Sequence, residues 1–305
     1  MKRDFLSIEK LTPQEVKDIL AGAKVLKHMA SWGDSPKPLE GMPVAMIFRK
    51  PSLRTRVSFD VGIYELGGHP MYISDAEIGI GKRESIADIA RVLSRYVSLI
   101  VIRTFDHSEV QEIAKFSRVP VINALTNLLH PCQIMGDALT IMEHKGFIDN
   151  SVVAYLGDGN NIANSWLNLA TRVPLDLRIG TASDCNPDPN IIQKAKEIGL
   201  STITLTEDPI EAVTGADVIY TDVWASMGEK DKASEKAQKL QKFQVNAELV
   251  KNAPEAIIMH CLPAERGHEI TDEVIDGKQS VVFDQAENRL HIQKAIMLFL
   301  TKGLV

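Results

Sequence analysis

Polar and basic side chains follow an apolar segment in the first half of the chain. The segment Val44 to Phe48 leads to Ser52-Leu53-Arg54-Thr55-Arg56, and apolar residues at helical spacing come next. Two hydroxyls, two guanidinium groups and the N–H groups of a helix start together suit an anion such as phosphate. The alternative is a Ser52 N-cap with solvated arginines. Because arginine at a helix N-terminus opposes the helix dipole, the pattern favours the phosphate site.

Two further apolar segments end at residues that could take part in chemistry. Leu99 to Ile102 precede Arg103, and the segment that begins at Val121 leads to His130-Pro131-Cys132-Gln133. Proline after His130 is well placed to open a helix, with His130 on the loop and Gln133 in the first turn. One Arg or His at a strand end is usually a surface or capped residue. Three consecutive strand ends that offer Arg, Arg and His are harder to explain in that way.

An acidic residue and a thiol follow two apolar segments in the second half. Val218 to Thr221 end in Asp222, and Ser226 follows on a loop that ends in glycine, so the pair could hold an ammonium group and a polar neighbour. Ala256 to Met259 lead to His260-Cys261-Leu262-Pro263, where Cys261 is a candidate thiolate. The alternatives are a helix N-cap at Asp222 and an inert, buried Cys261. Because no second Cys and no His at i+4 accompany Cys261, zinc is not expected.

A glycine turn opens the second half. Gly157-Asp158-Gly159-Asn160-Asn161-Ile162 lies between a predicted strand and a predicted helix, with Asp184 downstream, as in a dinucleotide fingerprint. Ile162 occupies the position of the third glycine, which argues against NAD and against a dehydrogenase. Asn164 and Ser165 remain candidates for polar contacts.

These segments belong to a repeating order of strand and helix, which predicts an α/β fold with parallel sheets flanked by helices. The pattern restarts after Lys145 to Asn150, which predicts domains at 1–146 and 147–287, and 288–305 suits a docked C-terminal helix. In such sheets ligands lie beyond the carboxyl ends of the strands, where the residues above stand. The second domain is predicted to contain strands at Leu177–Thr181, Thr202–Leu205, Val218–Thr221, Ala256–His260 and Val281–Phe283.

Composition excludes several classes of protein. A length of 305 residues suits about two domains, and a net charge of −6 argues against a nucleic-acid partner. The longest apolar runs, such as Ala295 to Leu300, are far shorter than the roughly 20 residues of a membrane span. Three widely spaced cysteines without a Cys-x-x-Cys pair, and no secretory signal, predict a reduced cytoplasm.

Taken together, the motifs resemble the aspartate/ornithine carbamoyltransferase family over nearly the whole chain. The matching segments occur in the family's order, and two of them are typical of its ornithine branch: Ser226-Met227-Gly228 and His260-Cys261-Leu262-Pro263. The other matches are Ser52–Arg56, His130–Gln133 and Glu287-Asn288-Arg289. The resemblance implies two domains of similar topology with a site that closes between them. It also implies that the C-terminal helix returns to the first domain.

The resemblance implies transfer of a carbamoyl group from carbamoyl phosphate to ornithine, with no metal or organic cofactor, in a homotrimer or an assembly of trimers. Carbamoyl phosphate would be bound by Cys261 and Leu262 of the second domain and by Arg289 of the C-terminal helix. The first domain would contribute Ser52, Leu53, Arg54, Thr55, Arg103, His130, Pro131, Cys132 and Gln133. Ornithine would be bound by Asn164, Asp222, Ser226 and Met227. The implied catalytic residues are Arg103, His130, Asp222 and Cys261.

Two positions depart from the family's pattern. Leu53 stands where Thr is usual, so one hydroxyl is lost, although the backbone N–H donors remain. By the resemblance, the loop from Asp75 to Arg83 would lend a side chain to the site of a neighbouring subunit. The matching position is Gly79, which has no side chain, so Lys82 is the alternative residue for that contact.

Two other functions stay open: a carbamoyltransferase for another amine such as putrescine, and a non-catalytic small-molecule binding protein on the same fold.

Overall fold

Buried aliphatic segments form the strands of two parallel sheets in the computed structural model, which describes residues 2–34, 36–79, 84–225 and 233–303. The chain divides into two compact units. Unit 1 comprises Met1–Leu139 with Glu287–Val305, and unit 2 comprises Thr140–Ala286. Each unit has one parallel sheet flanked by helices, which confirms the predicted fold class. Within these described segments, no helix is both long and apolar enough to cross a membrane.

Unit 1 has a four-stranded sheet in the order β2-β1-β3-β4. Its strands are β1 (Pro43–Phe48), β2 (His69–Ser74), β3 (Leu99–Arg103) and β4 (Val121–Leu125). Three of them lie where the sequence predicts strands. The sequence reasoning missed β2, because this edge strand is only partly buried and contains Pro70 instead of a continuous apolar run.

Several helices of unit 1 begin at residues whose side chains cap the helix N-terminus. Thr12 forms a capping box with Glu15, and the hydroxyls of Ser52 and Ser85 each accept a backbone N–H of the first turn. The helices are α1 (Pro13–Ser31), α2 (Leu53–Glu65), α3 (Asp75–Ile78), α4 (Ile86–Leu93) and α5 (His107–Phe116). Helix α6 (Pro131–Lys145) begins in this unit, and α13 (Val282–Thr301) ends in it.

The C-terminal helix packs on α2 of unit 1, as the resemblance implied. Buried Lys294 of α13 donates to Glu65 at 2.6 Å. Gly62 lies under the same contact, since a Cβ there would approach Lys294 Cγ to 3.2 Å and Leu290 Cδ1 to 3.3 Å. A small residue on α2 therefore lets α13 approach closely.

Unit 2 has a five-stranded sheet in the order β7-β6-β5-β8-β9. Its strands are β5 (Val152–Leu156), β6 (Asp176–Gly180), β7 (Thr202–Thr206), β8 (Val218–Thr221) and β9 (Ile257–His260). Its helices are α7 (Asn161–Ala170), α8 (Pro189–Ile198), α9 (Pro209–Val213), α10 (Ala233–Leu240), α11 (Ala247–Val250) and α12 (Asp272–Ile275).

The predicted strand Val281–Phe283 is wrong. The preceding residue, Ser280, forms an isolated bridge with Ile258 of β9, and α13 begins at Val282. The apolar run is buried at Val281 and Val282, but Phe283 is 69% exposed, as expected on the outer side of a helix. Three apolar residues are too few for their periodicity to distinguish a strand from a helix turn.

The order of strands reverses once in each sheet. The chain passes from β2 back across β1 to β3 in unit 1, and from β7 back across β5 to β8 in unit 2. Ligand crevices of open parallel sheets form at such reversals, outside the carboxyl ends of the strands. Register aligns those ends, since Phe48 pairs with Arg103 in unit 1, and Leu156 pairs with Thr221, which pairs with His260, in unit 2.

Candidate active site

The anion-binding pattern of unit 1 forms where β1 turns into α2. Ser52 is the N-cap of α2, and its hydroxyl accepts the N–H of Thr55 at 3.2 Å. The capping role that the sequence left as an alternative is therefore present at the start of the helix. Leu53 is 75% exposed, so its contribution at this helix start is its backbone N–H.

Two guanidinium groups converge on the fully buried hydroxyl of Thr55. Arg103 Nη1 donates to Oγ1 at 3.2 Å, and Arg289 Nη2 donates to the same oxygen at 2.5 Å. A threonine hydroxyl has two acceptor sites and one hydrogen to donate. Because both acceptor sites receive an N–H, the O–H of Thr55 can act toward a ligand only as a donor.

Arg54 and Arg56 have different surroundings. The Nε of Arg54 is buried and has no hydrogen-bond partner among the described residues. Arg56 is exposed, and its guanidinium carbon lies 3.9 Å from the ring centroid of Tyr72, a cation–π contact. Arg54 thus provides a desolvated donor that an anion would satisfy, whereas Arg56 packs on an aromatic ring.

His130, Pro131 and Gln133 lie where the sequence placed them, because α6 begins at Pro131. His130 is buried, and burial, then the positive charges of Arg289 and Arg103, lowers its pKa well below the ordinary value. The ring is therefore neutral at physiological pH. The Nε2 of buried Gln133 donates to Asp137 at 2.8 Å, which leaves Gln133 Oε1 as an acceptor for a ligand N–H.

Cys132 has a structural contact instead of an exposed thiol. Its Sγ donates to the carbonyl oxygen of Asn123 in β4 at 3.4 Å. Burial raises the pKa of this thiol to about 12, so it forms no thiolate at neutral pH. The sequence prediction that Cys132 binds carbamoyl phosphate can therefore apply only to its backbone.

Sequence reasoning missed two basic residues directly after β1. Arg49 is bound by the carboxylates of Asp75, at 2.7 Å, and Glu109. Lys50 is buried and donates to Asn127 at 2.5 Å. These contacts join the loop after β1 to α3, α5 and the segment after β4. Their position directly after a buried strand is a sequence signal for such residues. Their partners could not be predicted, because they lie far away along the chain.

In unit 2, Asp222 and Cys261 are neighbours. Each follows the last residue of its strand, and those last residues, Thr221 and His260, are register partners. The thiol of Cys261 donates to Asp222 Oδ1 at 2.9 Å, and Asn160 Nδ2 donates to Asp222 Oδ2 at 2.8 Å. In the described part of unit 2, Asp222 thus acts as an acceptor between two strand ends and not as a helix N-cap.

A buried histidine and carboxylate hold the residue after Cys261. His260 Nδ1 accepts the N–H of Leu262 at 2.8 Å, and His260 Nε2 lies 2.9 Å from Glu269 Oε1. Since Nδ1 accepts, the ring proton is on Nε2 and is donated to Glu269. Leu262 has a φ of 56°, in the left-handed region that a branched residue seldom adopts. The His260 contact stabilises that conformation.

Asp222, His260 and Cys261 also place one potential ligand atom each within 4.8 Å of one another. A metal ion there would need an unprotonated ring nitrogen with its lone pair available. Nδ1 of His260 accepts from Leu262, and Nε2 is bound to Glu269, so the histidine does not fit that role. Two donors alone do not make a zinc site.

The remaining predicted ornithine contacts have different outcomes. Asn164 Oδ1 accepts the backbone N–H of Asp188 at 2.9 Å, so this oxygen has a structural role at the start of α8. Ser226 and Met227 lie outside the described residues, as does Lys82. Gly79 ends α3 in a left-handed conformation, with φ 55°.

Two family models and several known proteins match this chain. The model of the aspartate/ornithine carbamoyltransferase carbamoyl-P binding domain matches residues 3–143, and that of the family's Asp/Orn binding domain matches residues 149–300. Ornithine carbamoyltransferase of Thermococcus kodakarensis is 49% identical over 99% of this chain and 97% of its own length. The anabolic ornithine carbamoyltransferase of Pyrococcus furiosus is 48% identical over 99% and 97%. A solved ornithine carbamoyltransferase structure from Pyrococcus furiosus superposes with a TM-score of 0.95 at 47% identity, covering 100% of this chain and 98% of that one.

The different surroundings of Arg54 and Arg56 generate a prediction. Arg54→Ala should weaken binding of inorganic phosphate about ten- to a hundred-fold, since a hydrogen bond to a charged group contributes about 1.5–3 kcal/mol. Arg56→Ala is the matched control, because it removes an equal charge from the same helix turn. Titration calorimetry with inorganic phosphate measures both. Equal losses for the two variants, or no loss for Arg54→Ala, would contradict the assignment.

Proposed function

The chain belongs to the aspartate/ornithine carbamoyltransferase family, and from that premise we propose that it carbamoylates the δ-amine of L-ornithine with carbamoyl phosphate, giving L-citrulline and phosphate. The observation that carries the proposal is the Asp222–Cys261 pair, which offers an amine acceptor site at aligned strand ends. The relatives named ornithine carbamoyltransferase support ornithine as the amine.

Carbamoyl phosphate would bind at the start of α2. The N–H groups of the first turn and the guanidinium of Arg54, whose Nε is buried, would hold its phosphate, because a helix N-terminus and a desolvated cationic donor both favour an anion. Arg103 would bridge the phosphate and the carbonyl oxygen, and Arg289 would complete the pocket. Both guanidiniums are already held on Thr55, so little reorganisation is required when the anion arrives.

The carbonyl oxygen would be stabilised as negative charge develops on it. The Thr55 hydroxyl can only donate, and Arg103 lies beside it. His130 would donate a hydrogen bond as a neutral ring, since burial and the two arginines lower its pKa. Gln133 Oε1 would accept from the carbamoyl nitrogen. Donors placed before the reaction are the usual means of stabilising such a transition state.

Ornithine would be oriented by unit 2. The carboxylate of Asp222 would attract the δ-ammonium group, and Cys261 with the Leu262 carbonyl would orient the amine as it loses its proton. The ammonium loses one proton to solvent before it attacks. The amine nitrogen then forms the bond to the carbamoyl carbon, the bond from that carbon to the phosphate oxygen breaks, and the leaving phosphate takes up the second proton, which the new amide nitrogen sheds. Asn164, Ser226 and Met227 would bind the α-amino and α-carboxylate groups.

Three further features of the proposal concern context. The anabolic name of the Pyrococcus furiosus relative supports a place in arginine biosynthesis, with this reaction running toward citrulline. A reducing compartment such as the cytoplasm suits the free thiols of Cys132, Cys185 and Cys261.

A trimer is supported by a row of exposed apolar side chains on α2: Leu53, Val57, Val61 and Tyr64.

The acceptor is tested by measuring citrulline or other ureido product with carbamoyl phosphate and a panel of amines. Ornithine should give the highest kcat/KM. Putrescine should react poorly, because it lacks the α-carboxylate that the proposed site binds, and aspartate should not react. A higher kcat/KM for putrescine than for ornithine would contradict the assignment of ornithine as the acceptor. Binding of carbamoyl phosphate without product from any amine would favour the non-catalytic binding protein.

The trimer is tested by light scattering, which should give three times the mass of one chain. Val57→Asp should dissociate the assembly, because it places a carboxylate in the proposed apolar contact. Val25→Asp, on the exposed side of α1, is the matched control and should leave the mass unchanged. A monomeric wild-type protein, or a trimer that survives Val57→Asp, would contradict the α2 interface.

A further inference from the structure

We propose that Asn160 is a positioning residue that fixes the orientation of the Asp222 carboxylate toward Cys261. This inference rests on the proposed function of that pair. Among the described residues of unit 2, the side chain of Asn160 makes hydrogen bonds to the start of α7, to Tyr155 and to Asp222, and none to Cys261. It acts through Asp222, which its amide nitrogen binds at 2.8 Å.

The first step is the assignment of the amide. Asn160 is the N-cap of α7, and its Oδ1 accepts the N–H of Ile162 at 2.8 Å and that of Ala163 at 3.4 Å. An oxygen must therefore face the helix start, and Nδ2 must face Asp222. The rigid turn of α7 thereby determines which atom of Asn160 the carboxylate meets.

The second step is the effect on Asp222. The torsion about the last side-chain bond of an aspartate is broad, so an untied carboxylate rotates over a wide range. Asn160 Nδ2 binds Oδ2, which leaves Oδ1 on the side of Cys261, where the thiol donates at 2.9 Å. Among the described residues, Asn160 is the one hydrogen-bond donor to Oδ2, so removing its amide frees this oxygen to rotate.

The third step is the frame that carries these three residues. Asn160 follows β5, Asp222 follows β8 and Cys261 follows β9, and the final residues of the three strands are register partners. Tyr155 of β5 donates to the Asp158 carbonyl at 2.7 Å and lies 3.3 Å from Asn160 Oδ1. One hydrogen-bonded chain therefore crosses the ends of three adjacent strands.

The charges around the pair leave Asp222 as the group that meets the substrate ammonium. The neighbouring carboxylate, Asp158, is paired with Lys236 of α10 at 2.8 Å. Glu269 is bound to His260, the residue before Cys261. Asn160 and Cys261 are neutral donors to Asp222, so they orient its carboxylate without placing a positive charge against it.

The test separates orientation from helix capping. Asn160→Ser keeps a good N-cap but removes the amide donor, and Asn160→Asp keeps the capping oxygen but replaces the donor with a second carboxylate. Asp208→Ala is the matched control, because it removes the N-cap of α9 in the same unit without touching Asp222. Both Asn160 variants should lower kcat/KM for ornithine about ten- to a hundred-fold, as expected for a misoriented reacting group. Carbamoyl phosphate affinity should be unchanged in all three.

A second readout does not depend on catalysis. Iodoacetamide alkylation of the free protein, located by peptide mass spectrometry, reports the Cys261 thiol at neutral pH. Burial raises the pKa of Cys185 to about 11 and that of Cys132 to about 12, so those thiols react slowly there. Asn160→Ser should alkylate faster at Cys261 than wild type, because the thiol loses a well-placed acceptor, and Asp208→Ala should match wild type.

The outcomes are distinct. A loss of ornithine kcat/KM and faster alkylation in Asn160→Ser, neither shared by Asp208→Ala, supports the proposal. If Asn160→Ser matches Asp208→Ala in both kcat/KM for ornithine and the alkylation rate of Cys261, the proposal is overturned and Asn160 is a helix cap only. If the wild-type protein makes no citrulline, the proposed function fails, and the alkylation comparison still decides whether Asn160 orients Asp222.

Discussion

The site residues of both units depend on one constraint, the reversal of strand order in each parallel sheet. At a reversal, neighbouring strands send their connections to opposite sides, and the residues after both strands face a common crevice. Register then sets which residues meet. Phe48 and Arg103 are level in unit 1, and Leu156, Thr221 and His260 are level in unit 2. The sheets themselves therefore place Arg103 beside Thr55 at the start of α2, and Asp222 beside Cys261.

Charge explains why the unit 1 cluster suits an anion. Arg103 and Arg289 are buried and share the hydroxyl of Thr55, and Arg54 has a buried donor nitrogen nearby along α2. Buried cations are costly unless an anion or hydrogen-bond acceptors compensate them. The same positive charge, together with burial, keeps His130 neutral by lowering its pKa. In the proposed function, phosphate binding and oxyanion stabilisation would therefore arise from one set of contacts.

Much of this could be predicted from the sequence, because the fold and the strand ends follow from local patterns. The helix start at Pro131 and eight of the nine strands in the described segments coincide with predicted elements. The failures have physical causes. Edge strand β2 has no buried run, and Val281–Phe283 is too short to show a period. Asn160 was overlooked in favour of Asn164, because a hydrogen bond between residues 62 positions apart leaves no mark in local spacing.

The most direct test of the acceptor site is Cys261→Ser, with turnover and melting temperature measured on the same sample. The change is nearly isosteric, so the fold should persist while citrulline formation slows, since the amine loses a group that orients it. An unaltered rate with a lowered melting temperature would contradict the account. Cys261 would then be a structural cysteine, and Asp222 would have no partner of this kind in orienting the amine.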